Sequence, residues 1–225
     1  MLQQTSLKFL KELTKHNTKE WFDSQRLSYN AAKENFVALV EDVLKKHSKK
    51  DSSIATESAK QTIFRINRDI RFSKDKSPYK TNFGASIKMG GRKSRYAGYY
   101  IHVEPNNKSF VGGGLWMPET DALKSVRQEI DYHWTDFHKI ISTKKFVSTF
   151  GDLDKSEEMT LTREPKGYTK DNPAIEYIKL KNFVVFQSLE DKDLLSADLE
   201  KKILSAFEAI QPLLWFLNEA IGMEK

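Results

Sequence analysis

Residues 96–116 read YAGYYIHVEPNNKSFVGGGLW, and the fold class turns on whether this stretch is a β-hairpin. Tyr99, Ile101 and Val103 alternate with Tyr100, His102 and Glu104, the period of a strand with one buried face. Pro105-Asn106-Asn107 supplies a turn, because asparagine tolerates the left-handed backbone that tight hairpins need. If Asn106 and Asn107 form a two-residue loop, Ile101 faces Gly112 and Tyr99 faces Gly114. One face then carries Tyr99, Ile101, Val103, Phe110 and Trp116, and the two glycines leave room for a large neighbour. The other face carries Tyr100, His102, Glu104, Ser109 and Val111. NFGASIKM at 82–89 reads as a third strand, joined to the hairpin through Gly90-Gly91 and the basic tip Arg92-Lys93-Ser94-Arg95.

Helical periodicity flanks this β-rich middle. Phe9, Leu10 and Leu13 share a face of a short helix that ends near Asn17, a residue tolerant of the left-handed stop, and Thr18 caps a second helix carrying Trp21 and Phe22. Phe36, Val40, Val43, Leu44 and His47 continue the 3.6-residue period. Residues 45–61 are polar and aperiodic and read as a surface loop. Beyond the sheet, Leu123, Val126 and Ile130 mark a helix opened by Pro118, with another helix expected over 136–141. Pro173 opens a short helix leading into the apolar strand FVVFQSL at 183–189. A last helix carries Leu199, Ile203, Phe207 and Ile210, capped by Ser196, kinked or restarted at Pro212 and ended by Gly222. The Trp21-Phe22 and Trp215-Phe216 pairs are expected in the core. The sum is one α+β domain over 1–225: a helical part at 1–50, a basic β-rich part at 61–118, and a mostly helical part at 118–225.

Composition narrows the function. There is no cysteine, so disulfides, thiolate nucleophiles and Cys-ligated zinc are excluded, and a reducing, cytoplasmic setting is expected. The beginning of the chain lacks a signal-like apolar run, and no stretch approaches the ~20 apolar residues of a membrane span. The formal charge of +6 is regional. Between Gln61 and Tyr100 ten Lys or Arg face two acids, so the rest of the chain is slightly acidic. A field of one sign over one segment points to an anionic partner.

That charge peaks in FRINRDIRFSKDKSPYK, residues 64–80, with six basic side chains, two aspartates and three aromatics. Residues 63–72 alternate as a strand, with Phe64, Ile66, Ile70 and Phe72 on one side and Arg65, Asn67, Asp69 and Arg71 on the other; the alternative is a helix, since Arg65, Arg68, Asp69 and Phe72 also share a helical face. Arg68 lands on the apolar side, where it must reach water, a carboxylate or a bound anion. The planar fork of arginine matches an oxyanion through two parallel bonds. Arg65, Arg68 and Arg71, with Lys76 and Lys80, surround a phosphate if the chain folds back at Ser77-Pro78. Asp69 and Asp75 then orient the guanidinium groups, and Tyr79 and Phe72 stack on a base or sugar. The competing expectation is a fastener: the arginines pair with Asp69, Asp75 and helix carboxylates such as Glu20, and Arg68→Ala costs several kcal/mol.

The motif Arg65-x-x-Arg68-Asp69-x-Arg71-Phe72-x-x-Asp75-Lys76-x-x-Tyr79 resembles the signature of a bacterial family of conserved hypothetical proteins, domain-of-unknown-function family 2461. The likeness extends through Asn17-Thr18-Lys19-Glu20-Trp21-Phe22, Gly112 to Glu119, Arg163-Glu164-Pro165-Lys166-Gly167-Tyr168 and Pro173 to Lys181. The chain departs from it at Asn172, where the resemblance leads one to expect histidine. The family implies no activity, cofactor or substrate.

Three functions follow from the residues. The first is binding of an anionic, phosphate-bearing ligand or nucleic acid through Arg65, Arg68, Asp69, Arg71, Asp75, Lys76, Tyr79 and Lys80. The second is an enzyme acting on a phosphorylated or carboxylated small molecule, with Asp69 or Asp75 as general base and His102 within reach. The third is an interaction module for an acidic protein. The Arg92–Arg95 tip, with Tyr96, Tyr99 and Tyr100 behind it, extends the nucleic-acid reading. His102 and Glu104, two apart on one strand face, have the spacing of an acid–base pair or two metal ligands. His133 and His138 do not, and no third ligand is evident. Gly112-Gly113-Gly114 lacks the GK[ST] of a phosphate loop, and no G-x-S-x-G motif marks a serine hydrolase. Cofactor and oligomeric state have no signature.

Overall fold

A computed structural model describes residues 1–71 and 74–222. The elements run α1 (Gln4–Lys15), α2 (Lys19–Ser24), α3 (Arg26–His47), a 3-10 turn (Ser52–Ile54), α4 (Ala59–Thr62), β1 (Phe83–Ile87), β2 (Gly98–Val103) and β3 (Ser109–Leu115). There follow α5 (Thr120–Tyr132), α6 (Trp134–Ile141), α7 (Lys144–Phe150), α8 (Ile175–Ile178), β4 (Phe183–Leu189), α9 (Asp191–Leu194) and α10 (Leu199–Ala220). The strands form an antiparallel sheet in the order β1-β2-β3-β4, and the fold is α+β. None of the described helices is long and apolar enough to cross a membrane.

The chain packs as two compact units, each assembled from separate segments. The first comprises Met1–Ile87, Tyr100–Val111 and Ser188–Ser205. Here α1 packs on α3, burying Leu7, Leu10 and Leu13 with Phe36, Val40 and Val43. Phe83 stacks on Phe36 with ring centroids 5.5 Å apart. The second unit comprises Lys88–Tyr99, Gly112–Gln187 and Ala206–Lys225. Its core gathers Val126 and Ile130 of α5, Phe137 of α6, Phe146 of α7 and Phe183 of β4, with Tyr99 against Phe207 at 4.4 Å.

The β2–β3 hairpin forms, but one residue out of the expected register. Asn106 and Asn107 take positive φ (67° and 60°), as the turn requires. Pro105 joins them in the turn. Phe110 therefore stacks on His102 (4.6 Å, 10°), while Ser109 and Val111 are buried as Val103 and Ile101 are. A one-residue slip moves every side chain of a strand to the opposite face. Trp116, expected among the buried aromatics, is 55% exposed. The glycines after Val111 make room for neighbouring backbone, where a large side chain was expected. A Cβ at Gly114 would lie 1.9 Å from the Phe183 carbonyl oxygen, and one at Gly113 2.2 Å from that of Gly98.

Other boundaries moved for local reasons. Asp51 accepts from Ser53 N at 3.1 Å and closes a turn that buries Ile54, so the expected surface loop is partly folded. Pro212 lies inside an unbroken α10, and Trp215 is exposed. Thr18 caps α2 as expected, accepting from Trp21 N at 3.3 Å.

Candidate functional site

The basic stretch forms an excursion of the first unit. The strand expected over 63–72 is reduced to short antiparallel pairings. Phe64 N donates to Gly84 O (2.9 Å), Lys80 N to Ile66 O (2.8 Å) and Arg68 N to Pro78 O (2.9 Å), with a bridge between Asn67 and Tyr79. Alternation fails beyond Arg68, and Ile70 is exposed. Phe72 lies outside the described residues.

The base of the excursion is held by neutral groups. The Asn17 amide donates to Tyr79 O (2.9 Å) and accepts from Tyr79 N (3.1 Å). One side chain thus satisfies both backbone groups of a residue that is 6% exposed. Asn17 has no positive φ. α1 ends at Lys15, near Asn17 as expected, but without a left-handed stop there; Asn17 instead clamps the excursion. The Tyr79 ring stacks flat on Phe22 (3.9 Å, 14°), so it belongs to the core and has one face already covered.

Among the described residues beyond Arg68 and before Pro78, the two carboxylates gather the local hydrogen bonds. Asp69 accepts from Arg71 through Nε (2.9 Å) and Nη2 (2.6 Å), a two-pronged pair. These bonds, with one from the Arg71 backbone, hold the Asp69 carboxyl at about 2. Asp75 accepts from Ser77 N (2.9 Å) and from Arg68 Nη1, which also donates to Ser77 Oγ (2.8 Å). The Ser77 bonds, then Arg68, lower its pKa. Lys76 Nζ donates to Ile70 O at 2.9 Å, and Lys80 Nζ sits 5.2 Å from the centre of the Phe64 ring. Arg65 and Lys74 are exposed and form no salt bridge among the described residues, although the Arg65 charge also helps lower the Asp69 pKa.

Arg68 and Arg71 thus pair with Asp75 and Asp69, the partners within the segment that the fastener expectation also named. These pairs face water: the Arg71 side chain is 74% exposed and that of Arg68 33%. Exposed pairs contribute little to stability, and the buried fastener expected of Arg68 is not what forms. Six cations against two aspartates give the segment a net charge of +4.

The other candidates arrange differently. In the second unit, Gly90 and Gly91 turn the basic tip with positive φ, and Arg95 Nη2 donates to Asp121 Oδ2 at 2.7 Å. In the first unit, His102 Nε2 meets Glu104 Oε2 at 3.0 Å, with the His102 side chain 13% exposed. The Nδ1 of His102 is buried without a partner under the stacked Phe110 ring. Among the described residues no group of three or more His, Asp or Glu is placed to hold a metal ion.

One cluster was not assembled by the linear reading, which named Tyr168 and Asn172 only within the family resemblance. Arg127 and Asp131 of α5 come together with Tyr168 and Asn172 in the second unit. The i, i+4 spacing of Arg127 and Asp131 was visible in the sequence, but the loop that joins them was not.

Across residues 5–216 the chain matches the model of a conserved hypothetical protein family, DUF2461. That span is most of its length, and the chain belongs to this family. No curated protein and no solved structure matches it.

Proposed function

We propose that this protein binds an extended, phosphate-bearing polyanion, with single-stranded nucleic acid the form to test, through the excursion at 65–80. The observation carrying the reading is the local pairing of Arg68 with Asp75 and Arg71 with Asp69. It neutralises both acids of the excursion with its own arginines, so Arg65, Lys74, Lys76 and Lys80 remain as excess positive charge. The exposure of Arg65, Lys74 and Lys76 suits a charged polymer laid across them, since small molecules are usually engulfed. The lack of cysteine fits the reducing cytoplasm, where such polymers abound.

The enzymatic alternative is weaker on the same evidence. A carboxylate held at about 2 by arginine is a poor general base near neutral pH, and Asp75 is engaged in the same manner.

The test is fluorescence anisotropy of labelled single-stranded and duplex oligonucleotides, comparing wild type with Arg65→Ala/Lys74→Ala. Removing two phosphate contacts weakens binding by at least about tenfold at 0.1 M salt. Absence of binding at low salt sinks the proposal, and equal binding by the variant moves the site elsewhere.

A further inference from the structure

Arg127 stands apart from the other arginines in the quality of its partners. Its Nη2 donates to the backbone oxygen of Leu180 at 3.0 Å, and its Nε is buried with no partner. No carboxylate pairs with it among the described residues. Asp131 lies one helical turn along α5, the spacing at which Arg and Asp ordinarily meet. Here they do not pair, because Asp131 Oδ1 accepts from Asn172 Nδ2 at 2.6 Å. Asn172 is itself fixed, its Oδ1 accepting from Ala174 N at 2.8 Å and its N–H donating to Thr169 O at 3.2 Å. The carboxylate one helical turn away is thus held by a neutral amide, and the cation meets one carbonyl.

Tyr168 shares this neighbourhood. Burial and the Asp131 charge push its phenol pKa up, while the Arg127 charge pulls it down. Burial lowers the pKa of Arg127, opposed by Tyr168. Tyr168 sits on the loop after α7 that also carries Arg163 and Lys166, both exposed. A half-buried guanidinium with a donor out of water is unfavourable as it stands. It becomes favourable when an oxyanion accepts from its fork.

We propose that Arg127 anchors a second binding site, which receives the carboxylate or phosphate group of a small molecule. Tyr168 supplies a further donor, and the Asn172-held Asp131 accepts from a hydroxyl or amine elsewhere on the ligand. The half-burial of Arg127 and Tyr168 suits a small oxyanion reaching inward, in contrast to the open arm at 65–80. A purely structural Arg127 would use one of its five donors, at Leu180, and would be indifferent to anions.

The test reads the arginine Nε–H resonances of the full-length protein by NMR during titration with inorganic phosphate and with malonate at constant ionic strength. The Arg127 signal, assigned by its loss in Arg127→Lys, is expected to shift saturably, and the two midpoints tell a phosphate site from a carboxylate site. Arg127→Lys is expected to weaken binding about tenfold or more by calorimetry, since lysine lacks the planar fork. Arg65→Ala/Lys74→Ala is expected to leave the titration unchanged, which separates this site from the polyanion surface. An Arg127 signal that moves with neither probe in the wild-type protein overturns the proposal, whatever the variants do.

Discussion

Asp69→Asn/Asp75→Asn separates the readings of the excursion, because they predict opposite outcomes. Asparagine keeps a side-chain oxygen in place, so Ser77 N retains its acceptor at position 75 and the Arg71 backbone its acceptor at 69. What disappears is charge. The excess of four cations becomes six, with Arg68 and Arg71 released from Asp75 and Asp69. For single strands the logarithm of the binding constant falls by about 0.7 per decade of salt for each phosphate neutralised. If each excess cation neutralises one phosphate, the slope steepens from about −2.8 to about −4.2. Binding at 0.1 M salt then tightens by roughly 25-fold, an upper figure because the freed arginines must be ordered on the ligand.

Anisotropy at several salt concentrations from about 50 to 200 mM, where surface screening changes appreciably, gives slope and affinity together. A fastener role predicts lower thermal stability and no gain in binding. A role for either aspartate as the general base predicts loss of activity. An unchanged slope, or weaker binding by the double variant at every salt concentration, refutes the reasoning.

Asn17→Ala removes both side-chain bonds to the Tyr79 backbone. It is expected to cost about 1–3 kcal/mol in urea unfolding, the price of an unsatisfied buried polar group; an unchanged midpoint refutes the clamp. Gly114→Ala combines a φ of +126° with a Cβ 1.9 Å from the Phe183 carbonyl oxygen, and a loss of about 4 kcal/mol or more is expected. Gly167→Ala has comparable backbone strain (φ +96°) and nothing within 4 Å, so soluble yield and circular dichroism should show it much milder. Asp69 should titrate near 2 by carboxyl NMR and rise toward its ordinary value in Arg71→Ala. Its folded value lies below the unfolded one. The pair therefore favours the ordered excursion above about pH 4, and that contribution is lost as pH falls through 2.

Elements with strong periodicity were legible. The apolar run at 183–189 is β4 to the residue; the stripes of α1, α3 and α10 are buried where the 3.6-residue period puts them, as are Val126 and Ile130 of α5, while Leu123 is half-buried. The β2–β3 register was not, because it depends on whether Pro105 belongs to the strand or the turn, a choice with no mark in composition. The strand over 63–72 failed for a related reason. Its alternation reflects the pairing of 63–68 with 78–85, and after Arg68 local side-chain bonds take over. The candidate site was legible as a list of residues, and Tyr79 was the member most misread. Next to so many charges it suggests a stacking platform, whereas Phe22 and Asn17 draw it into the core.

This division of labour explains why a fastener was a natural expectation and why the charges do not supply one. A fastener joins segments distant in sequence, so its partners must be distant. The arginine pairs are local, spanning two residues for Arg71–Asp69 and seven for Arg68–Asp75, whereas the Asn17–Tyr79 clamp spans 62. A neutral amide pins a backbone without the desolvation penalty that a buried ion pair incurs. With the base pinned in that way, the cations have no structural reason to be buried. Six of them concentrated beside two internally matched aspartates repel one another, and the polyanion proposed above would relieve that repulsion.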